Sequence, residues 1–160
     1  MQIMKISIIF LKVVVILIGI GTFIIMLWEP HIEGRNTHST LFEIYFQDPF
    51  LAFAYIASTP YFVALIQVFK FLEYVKQNQV FSLKAVKTIR IIKYCAISII
   101  GFTAIGEIFI MLSNSDDPAG GVFIGFLIAF GSIVIATFAI ISEKVLQNAV
   151  DIKSKNDLIV

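Results

Sequence analysis

Apolar residues fall in four long runs along the chain, and the polar stretches between them divide it into membrane-spanning and water-facing parts. The runs cover residues 6–28, 50–69, 94–112 and 121–142. A transmembrane helix needs about 20 predominantly apolar residues. The second run has 20 residues and the fourth 22, all without charge. The first is interrupted by Lys12, which leaves 16 residues from Val13 to Trp28. Counting residues 6–11 restores the length if Lys12 carries its ammonium to the membrane surface. Lys5 and Lys12 also resemble the basic leader of a signal peptide. The run ends in Ile25-Met26-Leu27-Trp28 without a small-x-small cleavage site, so a retained anchor is expected, with Trp28 in the interfacial aromatic belt. The pattern predicts an all-α integral membrane protein, four transmembrane helices in an antiparallel bundle forming one domain over residues 1–160.

Composition points the same way. Hydrophobic residues make up 59% of the chain and charged residues 14%, against roughly 45–50% and about 25% in soluble domains. Mean hydropathy is +0.94. A water-soluble globule cannot hide that much apolar surface, so the lipid bilayer is the first expected partner. The net charge of +1 gives no reason to expect direct nucleic-acid binding. Its distribution says more than its sum.

Residues 78–93 (NQVFSLKAVKTIRIIK) carry Lys84, Lys87, Arg90 and Lys93 and no acid. Together with Lys5, Lys12, Lys70, Lys76, Lys144, Lys153 and Lys155 they place eleven of the twelve Lys and Arg residues on one side of a four-span layout. Arg35 alone falls on the other. By the positive-inside rule, both termini, the 70–93 hinge and the 143–160 tail are expected in the cytoplasm of a plasma-membrane protein. The 29–49 loop and the 113–120 turn are then external. Within the loop, Thr40-Leu41-Phe42-Glu43 has capping-box spacing before an amphipathic stretch, either a surface helix or the entry turn of the next span.

In the hinge, Asn78-Gln79 breaks the preceding helix, and Ser82 is positioned to cap a new one from Leu83. Leu83, Val86, Ile89 and Lys93 share one face of that helix, and Lys84, Lys87 and Arg90 line another. The cations can meet anionic headgroups or an acidic partner. Pro60, after Ser58 and Thr59, removes a backbone donor in mid-span and predicts a kink. Gly121, Gly125 and Ala129 repeat every four residues, a surface for close helix packing within the chain or in a homo-oligomer.

Glu107 is the one acid well inside a run, about 7.5 Å from its outer end at a 1.5 Å rise per residue. A carboxylate at that depth is a candidate for proton or cation contact. It can equally be a hydrated interfacial acid. His31 and His38 share the loop with Glu29, Glu33 and Glu43, a set able to hold zinc, although solvated loop residues fit it as well. Cys95, the only cysteine, permits no intramolecular disulfide. No phosphate loop, Gly-x-Ser-x-Gly elbow or His-Glu-x-x-His is present. Neither enzymatic activity nor a cofactor is expected.

Residues 81–90 (FSLKAVKTIR) resemble a recurrent segment of the YoaS-like proteins, small four-span bacterial membrane proteins of unknown function. The closing Asn156-Asp157-Leu158-Ile159-Val160 is similar to the end of that family, with isoleucine where threonine is usual. The resemblance implies the same four-span layout. It also implies a gene neighbour, a Cro/repressor-type helix-turn-helix regulator, that such a protein can hold at the membrane. The function expected is therefore sensing or regulation through a cytoplasmic partner. A small transporter or ion-coupled component using Glu107 is the alternative from another class, and a structural or immunity-type protein is a third.

Overall fold

The computed structural model describes residues 2–32, 40, 42, 49–112 and 118–157. Four helices account for nearly all of them: α1 (Gln2–Ile32), α2 (Pro49–Lys76), α3 (Leu83–Leu112) and α4 (Pro118–Asp157). Each contains a segment long and apolar enough to cross a membrane. The chain is thus an all-α four-span membrane protein.

Both α2 and α4 begin on proline, whose fixed φ and missing N–H suit a first helical turn. Residues 118–120, expected as part of an external turn, are therefore the first residues of α4. At 40 residues, α4 is about 60 Å long, twice the roughly 30 Å hydrocarbon thickness. It runs unbroken from the fourth apolar run through most of the tail.

Consecutive helices pack against each other, most extensively α3 with α4, then α2 with α3, and least α1 with α2. Ion pairs join Lys12 of α1 to Glu73 of α2, and Arg90 and Lys93 of α3 to Glu143 of α4. The helices therefore alternate in direction, and the start of α1, the α2–α3 hinge and the end of α4 share one end of the molecule.

That hinge end holds the core. Val86, Ile89, Ile92, Ala139 and Leu146 form a buried cluster, with Val68, Phe71, Val80 and Val150 packed around it. All but Val68 and Ala139 lie outside the four apolar runs. The cluster is thus largely a water-side core, built from the emerging ends of α2, α3 and α4 beyond the hydrocarbon, where exclusion of water from apolar surface again favours burial. On α4, Gly121, Gly125, Ala129, Ser132, Ala136, Ala139, Glu143, Leu146 and Val150 are all buried or half-buried. From Gly125 onward they are spaced alternately four and three apart, the seam of helices packed at a shallow angle. The glycine stripe read from the sequence is the first part of this seam.

Candidate functional site

The hinge is a six-residue turn, residues 77–82, whose geometry comes from two residues, Asn78 and Ser82. Asn78 has φ 57°, the left-handed conformation that asparagine tolerates better than most residues. Around it the Gln79 N–H donates to the Tyr74 carbonyl (2.8 Å) and the Asn78 N–H to the Val75 carbonyl (3.2 Å). This is the Schellman pattern that closes a helix C-terminus. Ser82 opens the next helix: its Oγ accepts from the Ala85 N–H (3.3 Å) and donates to the Gln79 carbonyl (2.7 Å). A cap at each side of the turn fixes the angle at which α3 leaves α2.

The four hinge cations divide into two pairs. Arg90 Nε and Lys93 Nζ each donate to Glu143, to Oε1 and Oε2 respectively, at 2.6 Å. Glu143 thus receives a charge-assisted hydrogen bond on each oxygen. The Lys93 ammonium, followed by the Arg90 guanidinium, holds the Glu143 carboxyl below its ordinary range. Glu143 in turn raises Arg90. Lys93 also lies 4.8 Å from the Tyr94 ring centroid, within cation–π range. Lys84 and Lys87 make no ion pair among the described residues and are exposed. Glu143 is thus matched from within the chain, and the basic face that remains open is Lys84, Lys87 and the outer part of Arg90.

Lys12 is handled similarly. Instead of carrying its ammonium freely to the membrane surface, it pairs with Glu73 of α2 and lies 4.7 Å from the Phe69 ring centroid. Gln77 also donates to Glu73 (3.0 Å). The Lys12 bond, with Gln77 assisting, lowers the Glu73 pKa. The reason is cost: pairing a cation within an apolar run is cheaper than leaving it bare.

At the opposite end, Glu107 of α3 lies against Gly125 of α4. A Cβ on Gly125 would come within 2.8 Å of Glu107 Oε1 and 3.1 Å of its Cγ. Glycine at 125 therefore makes the room that the half-buried carboxylate occupies. One turn further out, a Cβ on Gly121 would meet Ile110 Cδ1 at 3.1 Å. Glu107 has no hydrogen bond or ion pair among the described residues. Gly106 on the same helix opens a notch for Phe53 of α2, whose ring stacks on Phe109 (5.7 Å) and meets Phe102 edge-on (6.1 Å).

In mid-span, α2 runs through Pro60 without interruption. Ser58 Oγ donates to the Tyr55 carbonyl at 2.7 Å, one residue before the Ile56 carbonyl that Pro60 deprives of its usual donor. Tyr61 OH and Thr22 Oγ1 share a hydrogen bond (3.0 Å), and Tyr55 OH donates to the Met26 carbonyl (3.0 Å). These bonds join α1 to α2 next to the proline.

Among the described residues no cluster of His, Cys, Asp and Glu is able to hold a metal ion. The zinc set proposed for the loop, with His38, Glu33, Glu43 and the side chains of His31 and Glu29, lies outside the described side chains. So do the amphipathic stretch of residues 41–48 and the final residues 158–160. Sequence reasoning missed Glu143 as the partner of Arg90 and Lys93, and Glu73 as the partner of Lys12. Both follow a charge-free run of 20 residues or more by one to four positions, which is the one signal that marks them.

This geometry defines a four-helix integral membrane protein with a capped, ion-paired hinge. Residues 35–160 match the model of a family described as "Protein of unknown function (DUF2975)", and the chain belongs to that family. It is 39% identical to the "Uncharacterized membrane protein YoaS" of Bacillus subtilis (strain 168) over 158 residues, covering 98% of this chain and 99% of that protein. No solved structure matches.

Proposed function

We propose that the chain is a non-enzymatic regulatory protein of the plasma membrane, holding a cytoplasmic partner on the water-side head formed by the ends of α2, α3 and α4. The observation that carries this reading is the buried cluster of Val86, Ile89, Ile92 and Leu146 beyond the apolar runs. A simple anchor needs no packed core outside the lipid, whereas a docking platform does. Lysine and arginine asymmetry supports a cytoplasmic position for this head. The partner class, a Cro/repressor-type helix-turn-helix regulator, rests on family association rather than on residue chemistry.

The test is reconstitution of the intact protein, and of a form ending at Ile152, in liposomes exposed to cytosol. That truncation keeps Leu146 and Val150 in place. Recovery of a sequence-specific DNA-binding protein, with loss of its DNA binding on the liposomes, supports the reading. Failure of either form to hold such a protein removes it. Orientation is checked with Lys84→Cys in a Cys95→Ala background: modification by an impermeant thiol reagent from the outside of intact cells would invert the topology.

A second reading is favoured by Glu107, which sits half-buried against Gly125 without a partner among the described residues. An ion-coupled membrane component would use that carboxylate as its proton or cation contact. It requires Glu107→Gln to abolish a pH-dependent flux into liposomes, and no change in flux would dismiss it.

A further inference from the structure

Beside the Glu143 bridges, the first half of α3 and the end of α4 enclose an open groove of about 370 Å³. Leu83, Ile91 and Tyr94 form its apolar walls over Val86, and Lys87, Arg90 and Gln147 supply its polar groups. Leu83 is 66% exposed and Tyr94 58% exposed, so the walls are open to whatever surrounds the helix at that height.

Height decides what that is. Taking Tyr94 as the hydrocarbon boundary, a 1.5 Å rise puts Ile91 about 4.5 Å, Arg90 about 6 Å and Lys87 about 10 Å beyond it. The headgroup layer is roughly 5–8 Å deep on each side of the hydrocarbon. Arg90 therefore lies within that layer, and Lys87 starts about 2–3 Å beyond it, a gap its long side chain can span back.

We propose that this groove binds the headgroup of one anionic phospholipid. Only Nε of the Arg90 guanidinium is used by Glu143, and its remaining N–H groups are available to phosphate oxygens. The Lys87 ammonium, unpaired among the described residues, approaches the same phosphate from the water side. Ile91 and the Tyr94 ring take the glycerol and the first methylenes, and Gln147, whose Nε2 donates to Asp151 Oδ1 (2.9 Å), closes the groove on the α4 side. A choline headgroup would bring a cation towards Lys87 and Lys84, so the charge pattern selects net-anionic lipid over zwitterionic. The groove binds lipid in whichever leaflet the hinge end meets, so the inference does not depend on the regulatory reading.

Full-length protein in detergent is titrated with phosphatidylglycerol, phosphatidylcholine or inorganic phosphate, and bound lipid is counted by native mass spectrometry. One phosphatidylglycerol is expected to bind at least tenfold more tightly than phosphatidylcholine. Lys87→Gln should weaken it about fivefold, the worth of one surface cation against anionic lipid. Lys144→Gln, which removes an exposed cation outside the groove, should leave it unchanged. Arg90→Lys keeps the charge beside Glu143 but loses the planar fork, and should also weaken binding. Equal binding of the two lipids would overturn the proposal, as would equal losses in Lys87→Gln and Lys144→Gln. Saturation by inorganic phosphate alone would replace the lipid with a free anion. Retention of a glutamate-rich peptide without any phosphatidylglycerol would assign the groove to a protein segment.

Discussion

At the hinge end α3 and α4 meet through Val86, Ile89, Ile92, Ala139 and Leu146, all buried, and Glu143 ties the two helices by two charged bonds. At the other end they meet through Gly121 against Ile110 and Gly125 against Glu107, and no described residue of 97–112 or 118–131 is buried. The two ends work in different solvents. Lipid gives little drive to bury an aliphatic side chain, so helices there gain from close approach over small residues. Water does give that drive, so the emerging ends build an ordinary aliphatic core. One pair of helices therefore changes its packing chemistry along its length.

The largest expected effect tests the water-side core. Leu146→Ala should cost about 2–4 kcal/mol of unfolding free energy, as burial and the residual cavity dictate. Ile124→Ala, at a position 58% exposed on the same helix, should cost less than about 0.5 kcal/mol. Unfolding titrations in mixed micelles compare the two. Equal losses would mean that the hinge end is no more a core than the lipid-facing surface.

The next effect tests the small-residue end. Gly125→Ala forces the Glu107 side chain to move and should cost about 1–3 kcal/mol. Gly131→Ala, where an added Cβ meets nothing within 4 Å, should instead be neutral or stabilise by up to about 1 kcal/mol. Adding Glu107→Ala to Gly125→Ala should restore most of the loss. If it does not, the contact that matters at 125 is not the carboxylate.

Much of this fold is legible in the sequence because length and charge settle it. Runs of 20 and 22 uncharged residues admit one interpretation, and Asn78 and Ser82 mark the hinge because their side chains suit those backbone positions. The pairings are harder to read. Whether Arg90 faces lipid, water or Glu143 depends on the rotation of α4 relative to α3, fixed by packing over 50 residues away in the chain. Lys12 looked like a surface lysine for the same reason: Glu73 is its neighbour only once α1 and α2 are docked. The sequence marks 143–152 as a continuing helix with Val145, Leu146 and Ala149 on an apolar side. Which of its residues are buried or half-buried shows only when the four-three spacing of Gly125, Ala129, Ser132, Ala136 and Ala139 is carried on to Leu146 and Val150. Glu107 stands out at once as an intramembrane acid, but its place against Gly125 needs the register of both helices.

A smaller effect separates the hinge caps from the helices they orient. Ser82→Ala removes the acceptor for the Ala85 N–H and should cost about 1 kcal/mol. Asn78→Gly keeps the left-handed turn available and should be close to neutral. Hydrogen exchange in the first turn of α3 should rise in the first variant and not in the second. A rise in both would place the hinge's rigidity in the backbone turn rather than in the serine cap.

The smallest effect is the pH response of the Glu143 bridges. Glu143 lies just beyond the fourth apolar run, and its carboxyl is held below its ordinary value of 4.5 by Lys93 and Arg90. A group with a lowered folded pKa binds fewer protons when folded. Its contribution is therefore complete above 4.5 and is lost as pH falls through the lowered value. Arg90 is half exposed (49%), so solvent screens the pair and the loss should be smaller than that of Ser82→Ala. Melting curves between pH 7 and pH 3 should show the wild-type protein losing stability in the acid limb, with Glu143→Gln losing less over the same range. Glu73, lowered in the same direction by Lys12, sets the residual slope, so Glu143→Gln with Glu73→Gln should be flatter still. Identical slopes for the wild-type and doubly substituted proteins would show that the bridges orient the helices without stabilising them, and the hinge end would then rest on its aliphatic core alone.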